Sequence, residues 1–349
     1  MNLKRLFAIS SLALATLAIG CSSQAEVDAT EDQVEVAKTA PLARFAPYLR
    51  TLKSAIEEPA TIEAAADALL AQGRPAAFSL QALARVYGGF DGAGPEFRTL
   101  HDAFKSLEDG IGAYDKWAGI YDQAVSEHAD KATLDRLEKK RDEARTLFTT
   151  KLTRDGWRTE GKSPTRLAQI QKFLDGYKWK PRAGDREQIL AWISKELTEL
   201  DTTRYDMKTL EQGNGLHELR RDLRWILIEQ LTLNGLVTLK DAGDKCPAPA
   251  LAKIPNDNRY GALRGSALET RPCEISACLV FATADFVERL GDLKDQAEQA
   301  VNIAGDSDVV PQKLQAATQS TYDEITKSHL LGLYRDEIET CREQNKKPY

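Results

Sequence analysis

The chain has 349 residues, is 42 % hydrophobic and 29 % charged, and carries a formal net charge of −6. Those proportions describe an ordinary globular protein with a sizeable core. The acidity argues against a nucleic-acid binder, and beyond the N-terminus no apolar run approaches the roughly 18 residues of a membrane span.

In chain order, Lys4 and Arg5 precede an apolar run over 6–19, the length of a secretory leader and too short for a finished membrane helix. The run ends at Ala18-Ile19-Gly20-Cys21. This resembles the lipobox of bacterial lipoproteins, with Ala18 where Leu is usual. The resemblance implies a leader over 1–20, lipidation of Cys21, and attachment to the cell envelope. Ser22 after the Cys implies the periplasmic face of the outer membrane in a Gram-negative host. Loss of Lys4 and Arg5 would leave a mature chain of net charge −8. Residues 21–40 are small, polar and acidic and are expected to form a disordered tether.

The body reads as all-α. Apolar residues recur at helical spacing over 42–52, with Pro47 as an interruption, then over 62–70 and 79–86, separated by Gly73 and Pro75. Further helices are expected over 96–107 and onward to 121, then over 130–152, 165–177 and 186–200. The next spans 216–239 with a bend near Gly235, followed by 275–301 and 311–342 in pieces around Gly332. The expected organisation is a helical half over 41–160 and a second over 161–349, the latter carrying an irregular insertion at 241–278.

Cys21 apart, the cysteines are Cys246, Cys273, Cys278 and Cys341. An even number in an oxidising compartment implies two disulfides. Three pairings are open to the sequence. We favour Cys246 with Cys273 and Cys278 with Cys341, the second tying the last helix to the body. Zinc is disfavoured, because no C-x-x-C pair is present and no His stands at finger spacing.

Charge is segregated. Residues 151–186 hold ten basic and four acidic side chains, interleaved with Trp157, Tyr177 and Trp179. This is either an anion-binding surface or, as we favour, a salt-bridged helical face with core aromatics. Residues 215–225 read GLHELRRDLRW. On a helix, His217, Arg220, Arg221 and Arg224 share one arc, and Leu216, Leu219, Leu223 and Ile226 another. A stripe of guanidinium forks on successive turns suits a linear polyanion, unless Glu218, Asp222 and neighbouring carboxylates absorb its charge.

The segment Leu216-His217-Glu218-Leu219-Arg220-Arg221-Asp222-Leu223-Arg224-Trp225 resembles the signature helix of the CHAD family, the conserved-histidine α-helical domains. Residues 107–115 (LEDGIGAYD) and 290–295 (LGDLKD) are similar to the turn that follows that helix. The resemblance implies a bundle of two similar helical halves that binds inorganic polyphosphate through basic residues, here His217, Arg220, Arg221 and Arg224. On the candidate helix of the first half stand only Arg44, Arg50 and Lys53.

Four scattered histidines (His101, His128, His217, His329) suggest no metal cluster, and neither a phosphate loop nor a G-x-S-x-G or H-E-x-x-H motif is present. The expectation is therefore a non-enzymatic polyanion-binding envelope lipoprotein without cofactor, metal or nucleic-acid partner. A helical scaffold with an unknown protein partner is the alternative. A hydrolase is a distant third, to be revived by a buried carboxylate pair in a cleft.

Overall fold

The computed structural model describes residues 40–90, 94–159, 163–240, 246–248, 251, 263, 269, 271–304 and 309–345. The expected leader, Cys21 and nearly all of the tether lie outside these residues.

The described residues fold into α1 (Ala40–Glu57), α2 (Ile62–Gly88), α3 (Gly94–Ser126), α4 (Lys131–Arg154), α5 (Arg166–Gly176), α6 (Arg182–Thr202), α7 (Leu216–Thr232), β1 (Val237–Leu239), β2 (Cys273–Ile275), α8 (Ala277–Ala304), α9 (Gln312–Lys327) and α10 (Leu330–Asn345). The all-α expectation holds. Helix starts follow capping chemistry: Thr61, Asp130 and Thr165 each accept the backbone N–H three residues on.

Four expected breaks moved. Helix α1 runs through Pro47, and α2 runs through both Gly73 and Pro75. Each proline removes one internal hydrogen bond, but α2 is packed against α1, α3 and α7, and burial of Leu69, Ala76, Ala77 and Leu80 outweighs the local cost. The helix expected over 216–239 stops at Thr232. Asn234 and Gly235 adopt φ of 49° and 84°, and the chain leaves as β1, which pairs in parallel with β2, Val237 opposite Cys273. The final break falls at Ser328–His329, where His329 takes φ of 53°; Gly332 lies inside α10.

The favoured disulfide pairing is overturned. Cys246 bonds Cys278 and Cys273 bonds Cys341. Strand alternation explains it. Cys273 and Ile275 face the interior and Glu274 faces out, and β2 lies against α10, so Cys273 meets Cys341. Cys278, in the first turn of α8, is left to reach Cys246.

Residues 37–349 form one compact unit, and the junction expected at 160/161 falls within it. One aromatic cluster crosses that junction: Phe45, Tyr87 and Phe97 pack with Phe173, Tyr177 and Trp179, ring centroids 4.7–6.5 Å apart. Beside it lies Arg44, 1 % exposed. Its guanidinium donates to Tyr87 Oη at 2.7 Å, Asp185 Oδ2 at 2.5 Å, Glu269 Oε1 at 2.9 Å and the Leu233 carbonyl at 3.3 Å. The sequence offered Arg44 as a possible groove cation, and the fold uses it as an internal tie. Burial pushes the Tyr87 hydroxyl above its ordinary range, so it stays neutral.

Candidate functional site around the start of helix α7

The approach to α7 is built by the backbone. The Leu216 and His217 N–H groups donate to the carbonyls of Thr209 and Leu210, both at 3.0 Å, which folds 209–211 back over the first helical turn. Gly215 permits this: a Cβ there would stand 2.8 Å from the Thr209 carbonyl oxygen. The loop is pinned from below by Val310 N–H to the Lys208 carbonyl at 2.8 Å and Thr318 Oγ1 to the Met207 carbonyl at 3.2 Å. Glu211 is thereby held beside His217, their Oε1 and Nδ1 atoms 2.9 Å apart.

Helix α7 lies between α2 and α8, and its apolar side is buried through Leu216, Leu219, Leu223 and Ile226, as the spacing predicts. The four stripe residues meet different surroundings. His217 faces Glu211 and Glu298 of α8, and the three offer ligand atoms within 4.8 Å of one another. Arg220 lies against α8 at Gly291, where a Cβ would stand 2.9 Å from Nε; that Nε is buried without a hydrogen-bond partner among the described residues. Arg221 is the exposed one and pairs with Glu218 a turn before it. Arg224 lies over the Phe78 ring of α2 at 5.0 Å, and Asp222 accepts from Tyr205 Oη at 2.8 Å. The stripe thus has an acidic N-terminal end and an arginine-bearing remainder. The sequence discounted a metal-ligating cluster because the histidines are scattered. The fold supplies its carboxylates from a loop and from α8 instead.

In the basic segment 151–186, Lys151, Arg154, Arg158, Arg166 and Arg186 are engaged by the chain itself, whereas Lys172, Lys178 and Lys180 are exposed. Trp157 is fully buried. Lys151 and Arg154 pair with Asp155 at 3.3 and 2.8 Å. Arg158 donates to the Ile56 and Ala60 carbonyls, Arg166 to the Asp155 carbonyl at 2.7 Å, and Arg186 to the Arg271 carbonyl. His101 pairs with Asp102 at 3.0 Å, and His128 occupies an exposed left-handed turn between α3 and α4.

Sequence reasoning missed a second cluster. Trp192 and Glu196 on α6, and Trp225 and Glu229 on α7, repeat the spacing W-x-x-x-E. They enclose Arg85 of α2, whose guanidinium pairs with Glu196 and lies 3.5 Å from Glu229 Oε1. It also stacks 5.9 Å from the Trp192 ring and 5.5 Å from that of Trp225, and Trp192 Nε1 donates to Glu229 Oε2 at 3.2 Å. Burial pushes both carboxyls up, Glu229 to about 8. A buried carboxylate pair was the feature that would revive a hydrolase. Glu229, however, is 0 % exposed, and Arg85 and the two indoles occupy the space around it, so a substrate cannot reach it. The repeated W-x-x-x-E was the available signal, since i and i+4 share a helix face.

No family model matches the chain, and no curated protein or solved structure matches it.

Proposed function

We propose that this chain is a non-enzymatic, lipid-anchored protein of the bacterial envelope that binds inorganic polyphosphate or a similar polyanion along the arginine-bearing part of α7. The observation that carries the reading is Arg220, whose Nε is buried without a hydrogen-bond partner against Gly291. No carboxylate bonds it among the described residues. Arg221 on the exposed side and Arg224 over Phe78 extend the cationic line over a further turn, at about 5.4 Å per turn. Guanidinium forks at that spacing suit successive phosphate oxygens. The likeness of 216–225 to the CHAD signature points to the same ligand class. Lipid attachment rests on the Lys4-to-Cys21 segment.

The scaffold alternative draws on α3. Its buried residues end at Ile111 although the helix continues to Ser126, and Leu147 of the facing α4 is 71 % exposed, which leaves helical surface open to a protein.

Titration calorimetry with polyphosphate at low salt separates the two. Binding is expected, weakening steeply as salt is raised because neutralised phosphates release counterions. Replacing Arg220, Arg221 and Arg224 together by Gln should abolish it while helicity by circular dichroism is kept. No heat from a folded protein, or binding indifferent to the three substitutions, favours the scaffold.

A further inference from the structure

We infer that Glu211, His217 and Glu298 form a binding site for a divalent transition-metal ion, of the Zn²⁺ or Mn²⁺ class, at the N-terminal end of α7. This inference does not rest on the polyanion reading.

The three residues come from three separate elements: the folded-back loop, the first turn of α7, and α8. Their ligand atoms lie within 4.8 Å of one another. A tetrahedral ion with bonds of about 2.0–2.2 Å holds its ligands roughly 3.3 Å apart. Glu211 already lies 2.9 Å from His217 Nδ1, so drawing the set onto one ion falls mainly to rotation of the Glu298 side chain, without movement of the backbone. The donor set is one imidazole and two carboxylates. Imidazole suits the Zn²⁺ class and carboxylate oxygens suit Mn²⁺, and three protein ligands leave a coordination position for water or an anion.

Two further observations point to a cation. First, His217 Nδ1 lies 2.9 Å from Glu211 Oε1, yet this nitrogen is buried within a part-exposed side chain and makes no hydrogen bond among the described residues. Close approach without hydrogen-bond geometry is how the ligands of one ion face each other. Second, a cation already sits at the cluster's edge, with the Lys294 ammonium 2.9 Å from Glu298 Oε1. Two carboxylates side by side attract positive charge, and Lys294 supplies part of it. An ion bridging Glu298 to Glu211 and His217 would compete with Lys294 for one carboxylate oxygen.

The loop is also fixed beforehand. The hydrogen bonds from Leu216 and His217 to Thr209 and Leu210, and the pairing of Thr209 with Val309, hold the backbone beside Glu211. Little ordering is left to be done on binding.

Calorimetric titration of the untagged chain with zinc chloride, without polyanion, tests the site, with Mn²⁺ followed by paramagnetic resonance. One ion per chain is expected, with affinity falling as pH is lowered, because protons compete with the ion for its ligands. Removing an outer-shell partner of a metal costs about 10–100-fold in affinity, so losing a ligand should cost at least as much. His217→Ala, Glu211→Gln and Glu298→Gln are each expected to weaken binding to that extent. Lys294→Met should tighten it by freeing Glu298, an effect that ions scattered on surface carboxylates would not show. Absence of binding to the folded chain overturns the inference. So does an affinity unchanged in both His217→Ala and Glu298→Gln, and Glu298→Gln decides alone if His217→Ala does not fold. Substituting Arg220, Arg221 and Arg224 should leave zinc binding intact, which keeps the failure of one proposal separate from the failure of the other.

Discussion

Glu229 shows what a single side chain imposes on the molecule. It is fully buried, and desolvation, partly offset by Arg85, lifts its carboxyl from the ordinary 4.5 to about 8. The folded state therefore holds a proton through neutral pH that the unfolded chain has released. Stability from this group is complete below about pH 4.5, declines as pH rises, and is gone above about 8. Glu229→Gln keeps the shape and removes the titration. Its midpoint of urea unfolding should change less between pH 5 and 8 than that of the parent protein. Equal pH dependence in the two proteins would show that Glu229 is ionised in the fold. The same burial that makes Glu229 titratable near neutrality closes it to substrates, which is why a perturbed carboxyl here supports no hydrolytic chemistry.

At the scale of elements, what was legible in the sequence was whatever repeats at short range. Leu216, Leu219, Leu223 and Ile226 announced α7 and its buried side, and Asp130 and Thr165 announced helix starts. What failed depends on distant partners. Gly73 and Pro75 are local breakers, overruled because three helices pack on α2. Val237–Leu239 is three residues long, too short to show alternation, and its partner lies more than thirty positions away. The candidate site divides the same way: His217 and its arginines were visible as a stripe, whereas Glu211 and Glu298 join them only through the loop and α8. The disulfides follow suit. Cys273–Cys341 spans 68 residues and joins β2 to α10. The chain-entropy model gives a loop of that size about 4 kcal/mol. Replacing both cysteines by Ser should lower the free energy of unfolding by roughly that amount, read from urea titration. A change below about 1 kcal/mol would mean the unfolded chain is already restricted there.

Across the whole molecule, the question is whether 41–160 and 161–349 behave as two bodies or one. The core answers through Arg44. Its guanidinium joins α1 to Tyr87 on α2, Asp185 on α6, the Leu233 carbonyl after α7 and Glu269. Two of those partners are carboxylates as buried as Arg44 itself, with side chains 3 % and 4 % exposed. A buried ion pair adds little net stability when it is intact. Removing one partner strands the others in low dielectric and costs about 3–5 kcal/mol. Arg44→Ala strands Asp185 and Glu269 together, so its cost should fall at the upper end of that range. The aromatic cluster of Phe45, Tyr87 and Phe97 with Phe173, Tyr177 and Trp179 spans the same junction, so neither segment can open without exposing the other's core. Calorimetry should therefore give one transition whose van't Hoff and calorimetric enthalpies agree, moved to lower temperature but still single in Arg44→Ala. Two resolved transitions in the parent protein would mean that the segments fold independently and that Arg44 only decorates their contact.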